Sequence, residues 1–154
     1  MGAMTNEARR AVVEALTRLA DGPDYRDRVD AGRALTSFVE TPIAREPLHR
    51  LLLDAGDTAV TLATAQALLR REDPAGLAAV ASALAVADPN HADWLHTAIH
   101  DVFGVYATQR DAAVNACGAM AESPDESLRR GAARLRDILR EITPVLWPVS
   151  EDHT

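Results

Sequence analysis

The sequence has no lysine. All 16 of its basic residues are arginine, set against 23 aspartates and glutamates, for a formal net charge of −7. Arginine as sole cation, beside abundant alanine, glycine and aspartate, is the mark of a GC-rich coding sequence, so one guanidinium alone says little about function. The acidic balance argues against a general nucleic-acid binder, because neutralising phosphates takes a basic footprint. It also disfavours docking on an anionic membrane. It suits solubility and a basic protein partner.

Cysteine is nearly absent as well. Cys117 stands alone, which excludes an intrachain disulfide and any cysteine-based zinc site. A reducing, cytoplasmic setting is the natural expectation. No apolar run approaches the roughly 18 residues that a membrane helix needs. At the N-terminus Glu7, Arg9, Arg10 and Glu14 break up any signal-peptide core. Met1, Gly2 and Ala3 ahead of Met4 read as a cloning remnant, so residues 1–4 stand outside the fold. Aromatics make up only 4% of the chain. The small apolar residues that replace them let helices approach closely and carry little strand propensity.

What is present is regular punctuation. Gly22-Pro23, Thr41-Pro42, Gly56-Asp57, Asp73-Pro74, Asp88-Pro89-Asn90 and Ser123-Pro124 are turn or helix-start signals. Between them the apolar spacing is i, i+3, i+4, i+7, as in a helix, and not alternating. It predicts helices over 5–20, 24–39, 43–54, 57–71, 74–87, 91–106, 109–121 and 125–142. The first carries Ala8, Val12, Ala15, Leu16 and Leu19 on one face. The second carries Tyr25, Gly32, Leu35 and Val39; the fifth Leu77, Val80, Ala81 and Leu84; the sixth Leu95, Ala98, Ile99, Val102 and Tyr106. The helix over 57–71 is apolar all round, so neighbours should sandwich it. The second helix of each pair starts near Asp24, Asp57, His91 and Asp125, a spacing of about 33 or 34 residues, in the range of helical-hairpin repeats. The expected architecture is all-α: four helical hairpins, about eight helices, forming one domain over 5–142. The repeats are approximately 5–39, 43–71, 74–106 and 109–142, followed by a C-terminal tail, 143–154.

The hairpin period, the small-residue second helices, Asp57 ahead of Val60 in an intra-repeat turn, and the Leu128-Arg129 pair together resemble the HEAT-repeat family, in a short bacterial form. The resemblance implies a right-handed α-α superhelix, or solenoid, over nearly the whole chain. It also implies a concave binding surface made by the second helices, with an Asp–Arg ladder between repeats. Val29-Asp30 and Val60-Thr61 lack the arginine that the ladder uses. The resemblance implies a fold and a surface, not a chemistry.

No catalytic motif is present, and no cofactor is expected. The candidate binding residues are polar stripes on the second helices. Arg26, Asp30 and Arg33 share a stripe in the first repeat, where local pairing of Asp30 with either arginine is the plain structural reading. Asp93, His96 and His100 share another. Two histidines at i, i+4 with an aspartate make a candidate divalent-metal face, weighed against a simply solvated one. Arg129, Arg136 and Arg140 line one side of the last helix and offer a dock for an acidic segment or phosphate, or again a solvated face. Trp94 is expected in the core, Cys117 as a small core residue, and Trp147 in a tail that folds back on the solenoid. The leading functional expectation is a non-catalytic protein–protein interaction module, monomeric, acting as adaptor, regulator or inhibitor of another protein, a basic partner being one candidate. The alternatives are a metal- or small-molecule-binding solenoid at Asp93, His96 and His100, and a HEAT-type DNA glycosylase using Trp94 and Asp101.

Overall fold

The computed structural model describes residues 3–149. The expected leading remnant at Met1 and Gly2, and the end of the tail at 150–154, lie outside them. Among the described residues eight α-helices follow one another: α1 (Asn6–Ala20), α2 (Tyr25–Leu35), α3 (Pro42–Leu52), α4 (Thr58–Leu69), α5 (Pro74–Leu84), α6 (Pro89–Phe103), α7 (Ala107–Met120) and α8 (Glu126–Glu141). The chain is all-α. Among the described residues the one β-type contact is an isolated bridge between Tyr106 and Leu146.

Caps fix most of the starts. The side chains of Thr5, Asp24, Asp57, Asp73, Asp88 and Asp125 each accept a backbone N–H from the first turn of the helix they precede. Proline opens α3, α5 and α6, where its missing N–H costs nothing. α6 therefore begins two residues ahead of the expected His91. α2 ends early: the Thr36 hydroxyl donates back to the Gly32 carbonyl at 2.9 Å, and the chain tightens into a short 3-10 helix, Thr36–Phe38.

The helices form two interlocked rows. α1, α3, α5 and α7 pack in succession, and α2, α4 and α6 pack in succession behind them. α4 is held by α2, α3, α5 and α6. It is mostly buried, down to Thr61 and Thr64, whose hydroxyls have no hydrogen-bond partner. α2 passes close to it at Gly32, where a Cβ would collide with Thr64.

The alternation breaks at the third hairpin. α5 and α6 barely touch, and α5 packs mainly on α8. Two features make that contact. Gly131 lies against the Ala81 carbonyl, where any Cβ would clash. Arg134 and Arg130 donate to the carbonyls of Leu84 and Ala85 at 2.6 and 3.3 Å, capping the end of α5.

The core corrects some expected faces. In α1 the buried residues are Val13 and Ala20; Val12 and Leu19, expected inside, are 36% and 37% exposed. A terminal helix has neighbours on one side only, and adjacent valines let its face be assigned one position off. Tyr25 and Tyr106, also expected inside, are exposed, and Trp94 sits at the surface at 36%. Phe103 is the aromatic that is fully buried among the described residues, at 1% exposure.

The segment after α8 folds back. Leu146 donates to the Val105 carbonyl and accepts from Ala107, at 2.7 and 2.8 Å, and Val145 donates to the Gly104 carbonyl. The Trp147 indole donates to the Pro144 carbonyl and lies under the Arg110 guanidinium, 5.5 Å from the ring centroid.

Candidate functional site

Three concavities carry chemistry. The largest, about 630 Å³, opens between α3 and α5 and reaches the start of α8. Its floor is apolar: Val39, Ala75, Ala78, Ala79 and Leu128. The three alanines, with Ser82, lie at i, i+3, i+4 and i+7 on α5, the side opposite its buried Leu77, Val80, Ala81 and Leu84. Side chains this small leave the space between α3 and α5 unfilled. The rim is polar and mostly exposed, with Glu40, Glu46 and Asp125 outnumbering Arg45, while His49 is half-buried.

A second groove, about 410 Å³, lies between α6 and α8. Those helices pack lightly because α8 is committed to α5. Asp93 and His96 line it opposite Arg134, Asp137 and Glu141, and Arg134 is already engaged with Leu84. His100 is not part of this lining; its ring stacks on that of His96, centroids 4.6 Å apart and tilted by 38°. The structure does not gather the candidate metal face: among the described residues no three His, Cys, Asp or Glu side chains are placed to hold a metal ion. The i, i+4 histidines stack on each other and do not converge with Asp93 on one point.

The third is a recess at the α3–α4 turn. Arg28 of α2 forms a forked pair with Asp54, its Nε and Nη2 donating to the two carboxylate oxygens at 3.0 and 3.1 Å. Both side chains are nearly buried. The remaining Arg28 amine donates to the carbonyls of Gly22 and Pro23, and Asp54 also accepts from the backbone of Gly56 and Asp57. His91 joins from α6. Its Nε2 lies 2.7 Å from the Asp54 carbonyl and its Nδ1 lies 2.9 Å from the Asp88 carboxylate. Both partners accept, so the arrangement is satisfied in full when both ring nitrogens donate, which is the cationic form of the imidazole. The Asp54 carbonyl is the chief cause that raises the pKa of His91; burial opposes it, and Asp88 adds to it. These satisfied contacts make the cluster a structural joint between three helices.

The remaining expected site residues are dispersed. Arg26 pairs with its own helix cap, Asp24, at 3.0 Å, and not with Asp30. Asp30 and Arg33 are exposed and line none of the three concavities. Arg129 donates to the Ser123 carbonyl at 2.8 Å. Arg136 is half-buried with an unpartnered Nε, and Arg140 is exposed. Asp101, proposed for base recognition, accepts from the Gln66 amide at 2.8 Å. Sequence reasoning missed Arg28, Asp54 and the α3–α5 groove. The Asp54-Ala55-Gly56-Asp57 turn was a legible signal for the first two, because two aspartates around a glycine fix a turn and offer a carboxylate to a neighbouring helix.

No family model matches the chain, and no curated protein matches it. Among solved structures, a crystal structure of an engineered protein is similar over 88% of this chain and 67% of that one, at 20% identity with a TM-score of 0.34. A likeness of that size carries no argument about fold or function. Among the described residues no helix is long and apolar enough to cross a membrane.

Proposed function

We propose that this chain is a non-catalytic protein-binding module, built as a HEAT-like, right-handed stack of four hairpins, which acts as an adaptor, regulator or inhibitor of another protein. The regular succession of α2, α4 and α6 supports the stack. So does the Arg28–Asp54 pair, which links the first hairpin to the turn of the second as an inter-repeat ladder would. The α5–α8 contact is a departure from a regular stack.

The observation that carries the function is the α3–α5 groove, with its apolar floor and polar rim. That is the arrangement of a protein interface, with an apolar centre and a wet periphery. The polar stripes of the even helices offer less, because Arg26, Arg129 and Arg134 are spent on contacts within the chain.

The test is affinity capture from a lysate of the native host, with wild type, Ala79→Trp and Arg33→Glu as baits. The expected result is one stoichiometric partner held by wild type and Arg33→Glu and lost by Ala79→Trp. Equal capture by all three baits moves the interface elsewhere, and capture by none overturns the reading.

A further inference from the structure

We infer that the occupant of the α3–α5 groove is an amphipathic helix of a partner protein, with arginine or lysine flanking its apolar face. This rests on the binding-module reading and names the partner's chemistry at the same site.

The walls decide the kind of element. They are helices, whose backbone N–H and C=O groups are paired internally, so the groove offers no edge for an added strand. An entering segment must bring its own backbone already satisfied, and a helix does that. The floor then suits a helix face. Ala75, Ala78, Ala79 and Ser82 form a shallow ridge at helical spacing on α5, and small residues on one helix let another approach closely.

Size agrees with this. A cavity of about 150 Å³ holds one benzene-sized group. The groove, about 630 Å³, therefore takes about four apolar side chains. Four is the number a helix presents at i, i+3, i+4 and i+7.

The rim decides the charge. Glu40, Glu46 and Asp125 face a single guanidinium, Arg45. Glu46 touches Arg50 at 2.8 Å and Glu40 lies 3.6 Å from Arg71, yet both carboxylates stay 75% exposed. Each of those arginines is shared with a further carboxylate, Asp21 or Asp73. The rim therefore keeps a negative surplus. A cationic flank gains from it, and an acidic flank is repelled.

The probe is a labelled synthetic peptide of about 18 residues, long enough to form a helix, with leucines at i, i+3, i+4 and i+7 and lysines beside them. Its counterpart carries glutamates in place of the lysines. Binding is read by fluorescence anisotropy, and the footprint by amide shifts in NMR. The lysine peptide is expected to bind wild type and to move the amides of Ala75, Ala78, Ala79 and Ser82. It should weaken at least tenfold with Ala79→Trp, and with the double change Glu40→Lys and Glu46→Lys, which should favour the glutamate peptide instead. The footprint keeps the test sharp even where Ala79→Trp disturbs folding. Failure of the lysine peptide to bind, equal binding of the two peptides to wild type, or a footprint confined to the α6–α8 groove overturns the inference. If the lysate partner is lost with Ala79→Trp while neither peptide binds, the module reading stands and the helical occupant falls.

Discussion

At the scale of single residues, His91 is the group whose chemistry is most tightly fixed. It is held between the Asp54 carbonyl and the Asp88 carboxylate in an arrangement only its cation satisfies in full. Its pKa is raised, so it binds its proton more tightly folded than unfolded. The stabilisation is fully present below the ordinary histidine value of about 6.5 and is lost as the pH rises through the higher folded value. Asp88 works in the opposite sense. Its pKa is lowered, first by the backbone N–H of His91, so its share is present above the ordinary carboxylate value and lost as the pH falls through the lower one. Arg28, Asp54 and Asp57 also face the joint; the Arg28–Asp54 pair is already matched. The joint is thus strongest between about pH 4 and 6.5. His91→Gln should cost about 1–2 kcal/mol there, and the gap from wild type should narrow towards pH 9. Urea melts at pH 5.5, 7 and 9 measure it; a gap that stays constant with pH would show that His91 contributes by shape alone.

At the scale of elements, the glycines of α7 and α8 make opposite demands. Gly131 in α8 faces the backbone of α5 at Ala81, while Gly118 in α7 has nothing within 4 Å of where a Cβ would sit. Gly131→Ala must push the two helices apart and should destabilise by about 2 kcal/mol or more. Gly118→Ala should gain about 0.5 kcal/mol from helix propensity. Equal melting temperatures for the two variants would show that the α5–α8 approach is not close. The existence and order of the helices were legible because their starts are written locally: Asp24, Asp57, Asp73, Asp88 and Asp125 each precede a helix that they cap. Which helix α5 would choose was not legible. Choosing α8 over α6 depends on Gly131, Arg130 and Arg134 meeting a helix some fifty positions earlier in the chain, and no periodicity records that. The groove was hidden for a related reason. Ala75, Ala78, Ala79 and Ser82 are as apolar or as small as core residues, and only the final packing shows that they stay half-buried along a groove.

At the scale of the whole molecule, the α5–α8 contact decides how the stack comes apart. In a regular array each hairpin touches only its neighbours, and a terminal hairpin can open at little cost. Here α7 and α8 form the last hairpin, and its hold on the third is strong: α8 is locked onto α5, and the tail ties the α6–α7 turn back through Val105 and Ala107. Opening the end should therefore disrupt the middle as well. Cys117 reports on this directly. It is 1% exposed in α7, and burial pushes its thiol up to about 11, so the folded chain should resist a thiol reagent at neutral pH. Labelling then needs an opening. If the end opens only with the rest, the free energy of opening from labelling rates should match that of global unfolding and fall with urea along the same slope, because that slope follows the surface exposed. A separately opening hairpin would give a smaller value and a shallower slope. Gly131→Ala supplies the contrast: loosening α8 from α5 should uncouple the last hairpin, so that Cys117 labels through a local opening with a reduced slope. A variant that keeps the full slope would place the cooperativity of the fold elsewhere, in the buried surround of α4.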